Sequence, residues 1–230
     1  AVTAQNTIGV QNVMEVSKEL IEAQIRSIFD DIEVDAVKIG MVSNIEIIKI
    51  IKDLLIEYNA KNVVVDPVMV SKSGYFLLKP EAQEAIKDLI SIADVVTPNI
   101  PEAEVLTGMK IEDSDAMKEA ALIIKRLGVK NVLMKGGHRC NDANDILLCE
   151  SDFLTLKGHR INTQNTHGTG CTLSSAIASH LAKNNDIKKS IELSKDYITK
   201  AIENSFSIGH GVGPVGHFVE VYKKADISYE

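Results

Sequence analysis

Two hydrophobic periods alternate along the chain. Val16, Leu20, Ile21, Ile25, Ile28 and Phe29 recur at helical spacing, and residues 35–40 then read as a short strand ending at Gly40. The helical period returns over 45–58, and the β-branched run 62–67 is stopped by Pro67. Residues 81–92 and 94–98 repeat this pairing. A further helix, 114–127, is closed by Gly128 and followed by a strand-like run over 131–137. Four strands separated by crossover helices predict a parallel sheet. Two more strands, 145–149 and 153–156, are joined by a link too short for a crossover, so they predict an antiparallel hairpin at one edge. Helices over 170–183 and 187–206 and a Gly-rich tail complete the pattern. No linker, charge block or internal repeat divides the chain. Residues 1–230 therefore read as one α/β domain, with a mostly parallel central sheet and helices on both faces.

Composition narrows the function classes. Apolar residues make up 45% of the chain but aromatics only 4%, with no Trp, so the core must be Ile, Val, Leu and Ala, as in buried parallel strands. A net charge of −7 argues against nucleic acid or an anionic membrane as the main partner. The most apolar helical stretch, 45–56, is interrupted by Lys49, Lys52 and Asp53, well short of the roughly 18 apolar residues of a spanning helix. Cys140, Cys149 and Cys171 form no C-x-x-C pair, which suits a reducing compartment, and no signal-peptide pattern opens the chain. A cytoplasmic protein is expected. Ala1 to Thr7 begins in the manner of a mid-strand segment without an initiator Met, so an N-terminal segment is expected to be missing.

In open α/β sheets ligands bind beyond the carboxyl ends of the strands. Gly40, Asp66, the 99–102 stretch and Lys135-Gly136-Gly137 all fall there, so one crevice could gather them. The sharpest chemical signal follows later, in Asn165-Thr166-His167-Gly168-Thr169-Gly170-Cys171-Thr172-Leu173-Ser174. Gly168 and Gly170 let successive N–H groups face one way at a helix N-terminus, an anion hole suited to a phosphoryl group in flight. No Walker A loop occurs. Cys171 lies in the first turn of that helix, whose positive end favours an anionic thiolate. It is either a small packed residue or a base that accepts the proton of a substrate hydroxyl.

Three other positions carry two readings each. Asn99 with Glu102 is a capping box, and Glu102 is also a candidate for holding Mg²⁺. Asp66 before Pro67 either closes a turn or faces a metal and phosphates. The stretch after it, ending in Ser73-Gly74, reads as a mobile flap. Lys135 is either a solvated lysine or a point charge for ATP phosphates. Two decoys can be set aside. Gly211-Val212-Gly213-Pro214-Val215-Gly216 fits G-x-G-x-x-G but follows a helix and contains Pro. His138-Arg139-Cys140 lacks partners for a zinc site.

These segments resemble the hydroxymethylpyrimidine/phosphomethylpyrimidine kinases of thiamine biosynthesis, within the ribokinase-like superfamily. The likeness runs through Ala1 to Thr7, Lys38-Ile39-Gly40-Met41, Val64-Val65-Asp66-Pro67-Val68-Met69, Thr97-Pro98-Asn99-Ile100-Pro101-Glu102-Ala103 and Lys135-Gly136-Gly137-His138. It continues in the Asn165 block, in Gly209-His210-Gly211 and in Gly213-Pro214. The Asn165 block is the most specific, because most ribokinase-like sugar kinases carry Asp where Cys171 stands.

The resemblance implies the three-layer ribokinase-like fold, ATP and Mg²⁺ as cofactors, and usually a homodimer. It implies an anion hole at Gly168, Thr169 and Gly170, with Cys171 as catalytic base. Asn99 and Glu102 match the family's metal and phosphate motif, Asp66 its metal-side acid, and Lys135 its ATP-phosphate lysine. Gln5 resembles the side chain that bonds the pyrimidine edge, with Val68 and Met41 as pocket wall. The implied substrates are 4-amino-5-hydroxymethyl-2-methylpyrimidine and its monophosphate. Nothing before Ala1 matches the family's N-terminal strand and Gly/Ser-rich segment. A pyridoxal kinase, some of which share the Gly-Thr-Gly-Cys turn, and a non-catalytic ligand sensor are the rival expectations.

Overall fold

The first two strands stay out of the main sheet. In the computed structural model, which describes residues 1–69, 80–137 and 143–226, β1 (Val2–Gln5) and β2 (Val10–Met14) pair antiparallel as a separate two-stranded sheet. Asn6 closes their turn: its Oδ1 accepts the N–H of Ile8 at 2.9 Å and of Gly9 at 3.2 Å. The strand expected at the start of the chain is thus present, but as a hairpin. Next comes α1 (Lys18–Phe29), capped by Ser17, none of whose residues is fully buried.

The β-branched runs then pair in the order in which they occur. β3 (Val37–Ile39), β4 (Val63–Val65), β5 (Val95–Val96) and β6 (Asn131–Met134) lie side by side and parallel. β7 (Asp145–Cys149) joins β6 antiparallel, and β8 (Asp152–Leu156) closes the edge hairpin. The crossovers are α2 (Ile45–Glu57), α3 (Gln83–Ile90), α4 (Ile100–Thr107) and α5 (Ser114–Lys125). α6 (Thr169–Ala182), α7 (Ile187–Glu203) and a short α8 (Val219–Lys224) follow; α8 lies within the stretch expected to be tail.

Side-chain alternation along the strands divides the core in two. Val63, Val65, Val96, Val132 and Met134 face Ile48, Leu55, Ile86, Leu89 and Ile124 from the crossover helices. Val64, Val95, Leu133 and Leu147 face Leu173, Ile177, Leu181, Ile191 and Ile198 from α6 and α7. This is the expected three-layer arrangement. Among the described residues no helix is long and apolar enough to cross a membrane.

The parallel strands are shorter than the sequence runs, and the difference places the polar residues. β4, β5 and β6 each stop one residue before a polar group still held in register. Asp66 N–H donates to the Ile39 carbonyl at 2.9 Å, Thr97 N–H to Val65 at 3.0 Å and Lys135 N–H to Pro98 at 2.9 Å. Pro67 and Pro98, lacking N–H donors, end the ladder just beyond.

Candidate active site

Asp66, Thr97 and Lys135 therefore stand beyond three adjacent strands, at the carboxyl edge of the sheet. Lys135 Nζ donates to Asp66 Oδ1 at 2.8 Å and lies 3.9 Å from Glu102 Oε2. All three side chains are removed from water: 13% exposed for Lys135, 1% for Asp66 and 7% for Glu102. Thr97 Oγ1 also donates to Asp66 Oδ1 at 3.3 Å, and Ser174 Oγ from α6 donates to Oδ2 at 3.3 Å. Three donors, from beyond β5, beyond β6 and from α6, thus converge on one carboxylate.

Glu102 reaches the cluster because α4 starts where it does. Asn99 is the N-cap: its Oδ1 accepts Glu102 N–H at 2.9 Å, and Glu102 Oε2 accepts Asn99 N–H at 2.8 Å. The capping box is real, and it aims the carboxylate toward Lys135, so the structural role of Glu102 is compatible with the ligand reading. Burial pushes the Glu102 carboxyl up to about 7. Lys135 and the Asn99 N–H pull it down, and Asp66 adds to the rise. For Lys135, burial pulls the ammonium down, but the charges of Asp66 and Glu102 outweigh it and the net shift is upward. With Glu102 ionised, two carboxylates around one ammonium leave a net negative charge at the crevice floor. A divalent cation would fit such a site.

The anion turn lies against this floor. Gly168 is the N-cap of α6 at φ +85°, a left-handed conformation that glycine adopts without a Cβ penalty. No side chain caps α6, and Thr169 N–H makes only a long 3.4 Å bond to the Thr166 carbonyl, so this helix end can turn N–H groups toward an anion. A Cβ added at Gly170 would lie 3.4 Å from Lys135 Nζ and 3.6 Å from Asp66 Oδ2. Cys171 is exposed, as the packed alternative would not have it. Thr169 Oγ1 turns away to donate to the Thr166 carbonyl at 2.8 Å.

The residues expected on the substrate side are less closely joined. Val68 is half-buried beyond β4 and Met41 half-buried beyond β3, while Gln5 sits exposed at the end of β1. Among the described residues, no hydrogen bond or ion pair ties these side chains, or Gly40, to the Asp66 cluster. From residue 70 onward the expected flap lies outside the described residues, as does the His138/Cys140 pair.

Sequence reading gave no role to Thr97 or Ser174. Each had a signal: Thr97 ends a strand beside Asp66, and Ser174 lies one turn after Gly170 on a small-residue helix. The Gly211–Gly216 decoy also finds its explanation. Val212 N–H donates to the Thr7 carbonyl at 2.9 Å, His167 N–H to that of Gly213 at 3.0 Å, and Gly213 N–H to Asn165 Oδ1 at 3.1 Å. The segment is a strap from the β1–β2 turn to the anion turn. A Cβ at Gly211 would strike Thr7, and one at Gly213 would strike Phe206 and Asn165.

Comparison with known proteins gives a consistent picture. Residues 1–216 match the family described as phosphomethylpyrimidine kinase. The chain is 41% identical to the hydroxymethylpyrimidine/phosphomethylpyrimidine kinase of Haemophilus influenzae, over 95% of this chain and 83% of that protein. The crystal structure of phosphomethylpyrimidine kinase from Clostridium difficile 630 is similar with a TM-score of 0.78 and 52% identity, covering 87% of this chain and 83% of that one. An ADP complex of Bacillus subtilis pyridoxal kinase is similar with a TM-score of 0.87 and 38% identity, over 95% and 83% of the two chains.

Proposed function

Because the chain belongs to the phosphomethylpyrimidine kinase family, we propose that it transfers the γ-phosphoryl group of ATP to 4-amino-5-hydroxymethyl-2-methylpyrimidine, and then to the resulting monophosphate, in thiamine biosynthesis. The observation that carries this reading is the approach of Gly170 to Lys135 and Asp66, with 3.4 Å and 3.6 Å left for a Cβ. Anion-binding backbone and a buried ammonium share one crevice, as the spreading charge of a phosphoryl group requires.

Cys171 accepts the proton of the substrate hydroxyl as its oxygen attacks the γ-phosphorus. The new O–P bond forms, the bond to the bridging oxygen breaks, and ADP departs. The N–H groups at Gly168, Thr169 and Gly170 receive the charge of the transferring oxygens, that of Thr169 giving up its long 3.4 Å bond to the Thr166 carbonyl. Lys135 holds the phosphates as a point charge. Asn99 uses Oδ1 as the helix cap and offers its Nδ2 hydrogens to phosphate. Glu102 and Asp66 would hold Mg²⁺, largely through water, and the ion would neutralise phosphate charge there. Glu102 must first lose the proton that burial lets it keep up to about pH 7. Gln5, Val68 and Met41 form the pyrimidine side of the site. A homodimer is supported by apolar side chains left exposed on β1, β2 and α1, among them Val2, Met14, Leu20 and Ile28. The sparse, unpaired Cys149 and Cys171 suit the cytoplasm.

The deciding experiment is ATP consumption by the chain with hydroxymethylpyrimidine, its monophosphate, or pyridoxal. Turnover of both pyrimidines is expected. Turnover of pyridoxal alone would move the protein to vitamin B6 salvage, and nucleotide binding without turnover of any of the three would favour the ligand sensor.

A further inference from the structure

A second buried ion pair, unused by any step above, lies behind Lys135. Asp145 opens β7 and is 4% exposed. Its Oδ1 accepts Gly136 N–H at 2.8 Å, and its Oδ2 accepts Lys195 Nζ, from α7, at 2.5 Å. Lys195, with an 18% exposed side chain, also donates to the Ala143 carbonyl at 3.2 Å. Next to it, Asn144 Oδ1 accepts Gly158 N–H at 2.9 Å. The knot joins the end of β6 to β7, to the segment after β8 and to α7. Gly136 itself has no room for a side chain, because a Cβ there would run into the Asn144 carbonyl.

Stability is a weak reason for such a pair, since taking two charges out of water offsets most of their attraction. Direction is a stronger one. A carboxylate binds a backbone N–H more firmly than a neutral acceptor does, and Lys195 fixes which way that carboxylate points. The N–H it binds belongs to the residue after Lys135. Lys135 is fastened on its other side by its own N–H to Pro98.

We propose that Asp145, held by Lys195, is a positioning residue for Lys135: by gripping Gly136 N–H it sets the 135–137 turn so that the Lys135 ammonium meets the nucleotide phosphates. The inference rests on the reading of Lys135 as an ATP-phosphate ligand. Asp145 spends both carboxylate oxygens on Gly136 N–H and Lys195 Nζ, and so acts through Lys135. Its charge also favours the ammonium form of Lys135, a smaller effect than those of burial, Asp66 and Glu102.

The test compares two double variants that both lack the charges. D145L/K195M removes the acceptor as well, and D145N/K195M keeps an amide oxygen facing Gly136. Each is titrated with a fluorescent ATP analogue and assayed for the KM of ATP and of hydroxymethylpyrimidine. D145L/K195M should weaken nucleotide binding by roughly tenfold to a hundredfold with little change in the pyrimidine KM, and D145N/K195M should recover most of that loss. Should leucine not fit the fold, D145A/K195M makes the same comparison. Wild-type affinity in both variants, or an equal loss in both, overturns the positioning role. Wild-type chain that binds nucleotide without turning over the pyrimidine retires the substrate assignment, while the affinities of the variants still decide this one. Wild-type chain that binds no nucleotide overturns this inference together with the role of Lys135.

Discussion

Replacing Lys135 by methionine keeps most of the side-chain volume and removes the ammonium that lies between Asp66 and Glu102. Its Nζ lies 2.8 Å from one carboxylate and 3.9 Å from the other, and none of the three groups has enough water to take over the solvation. Breaking a buried pair in this way costs about 3–5 kcal/mol, a large share of the roughly 5–15 kcal/mol that holds a domain together. The penalty should also depend on pH, because Glu102 titrates near neutrality. Its folded value of about 7 lies above the ordinary 4.5, so the stability tied to this carboxyl is fully present below 4.5 and is lost as pH rises through 7. That loss amounts to about 3 kcal/mol at 1.36 kcal/mol per unit. Lys135 opposes the rise, so its removal carries the Glu102 titration to higher pH and extends the loss. The cost of K135M should therefore be larger at about pH 8 than at about pH 6. Urea unfolding followed by circular dichroism at both values measures it. An unchanged midpoint, or a greater penalty at the lower pH, would refute the view that these charges form one buried cluster.

Cys171→Ser should lower the phosphoryl-transfer rate by about 10²–10⁴-fold while nucleotide binding, measured by titration, stays close to wild type. Mg²⁺ binding to the nucleotide complex should strengthen from about pH 6 to about pH 8, because Glu102 must shed a proton held up to about 7; calorimetry that finds no pH dependence would remove Glu102 from the metal site. Asn99→Ala deletes the acceptor of Glu102 N–H and should cost about 1 kcal/mol in thermal or urea unfolding, with a larger loss of activity than of stability.

Much of the fold was legible because its signals are local. The helical and strand periods, the Pro67 and Pro98 stops, and the Asn99–Glu102 box act over a few residues and need no knowledge of the rest of the chain. The parallel pairing and the edge hairpin followed from connection lengths, while the strand order came only with the structure. Two parts were harder to read for the same reason in reverse. Ala1 to Thr7 reads as the middle of a strand, yet Asn6 folds β1 back on β2, and α8 was hidden in a stretch whose glycines dominate the local signal.

The anion turn could be read from Gly168 and Gly170, since a left-handed N-cap and an open helix terminus are properties of the backbone. The company that turn keeps could not. Ser174 bonds Asp66 across 108 positions, Lys135 bonds it across 69, and Lys195 finds Asp145 across 50. No period or composition encodes such pairings. They arise because β4, β5 and β6 stop at one edge of the sheet and α6 and α7 cover the opposite face from the crossover helices. The shift in Glu102 has the same origin: a carboxylate that would ionise freely in an open chain keeps its proton because packing takes away its water. Local chemistry chose the groups. Burial and strand adjacency, which depend on the whole chain at once, chose their partners.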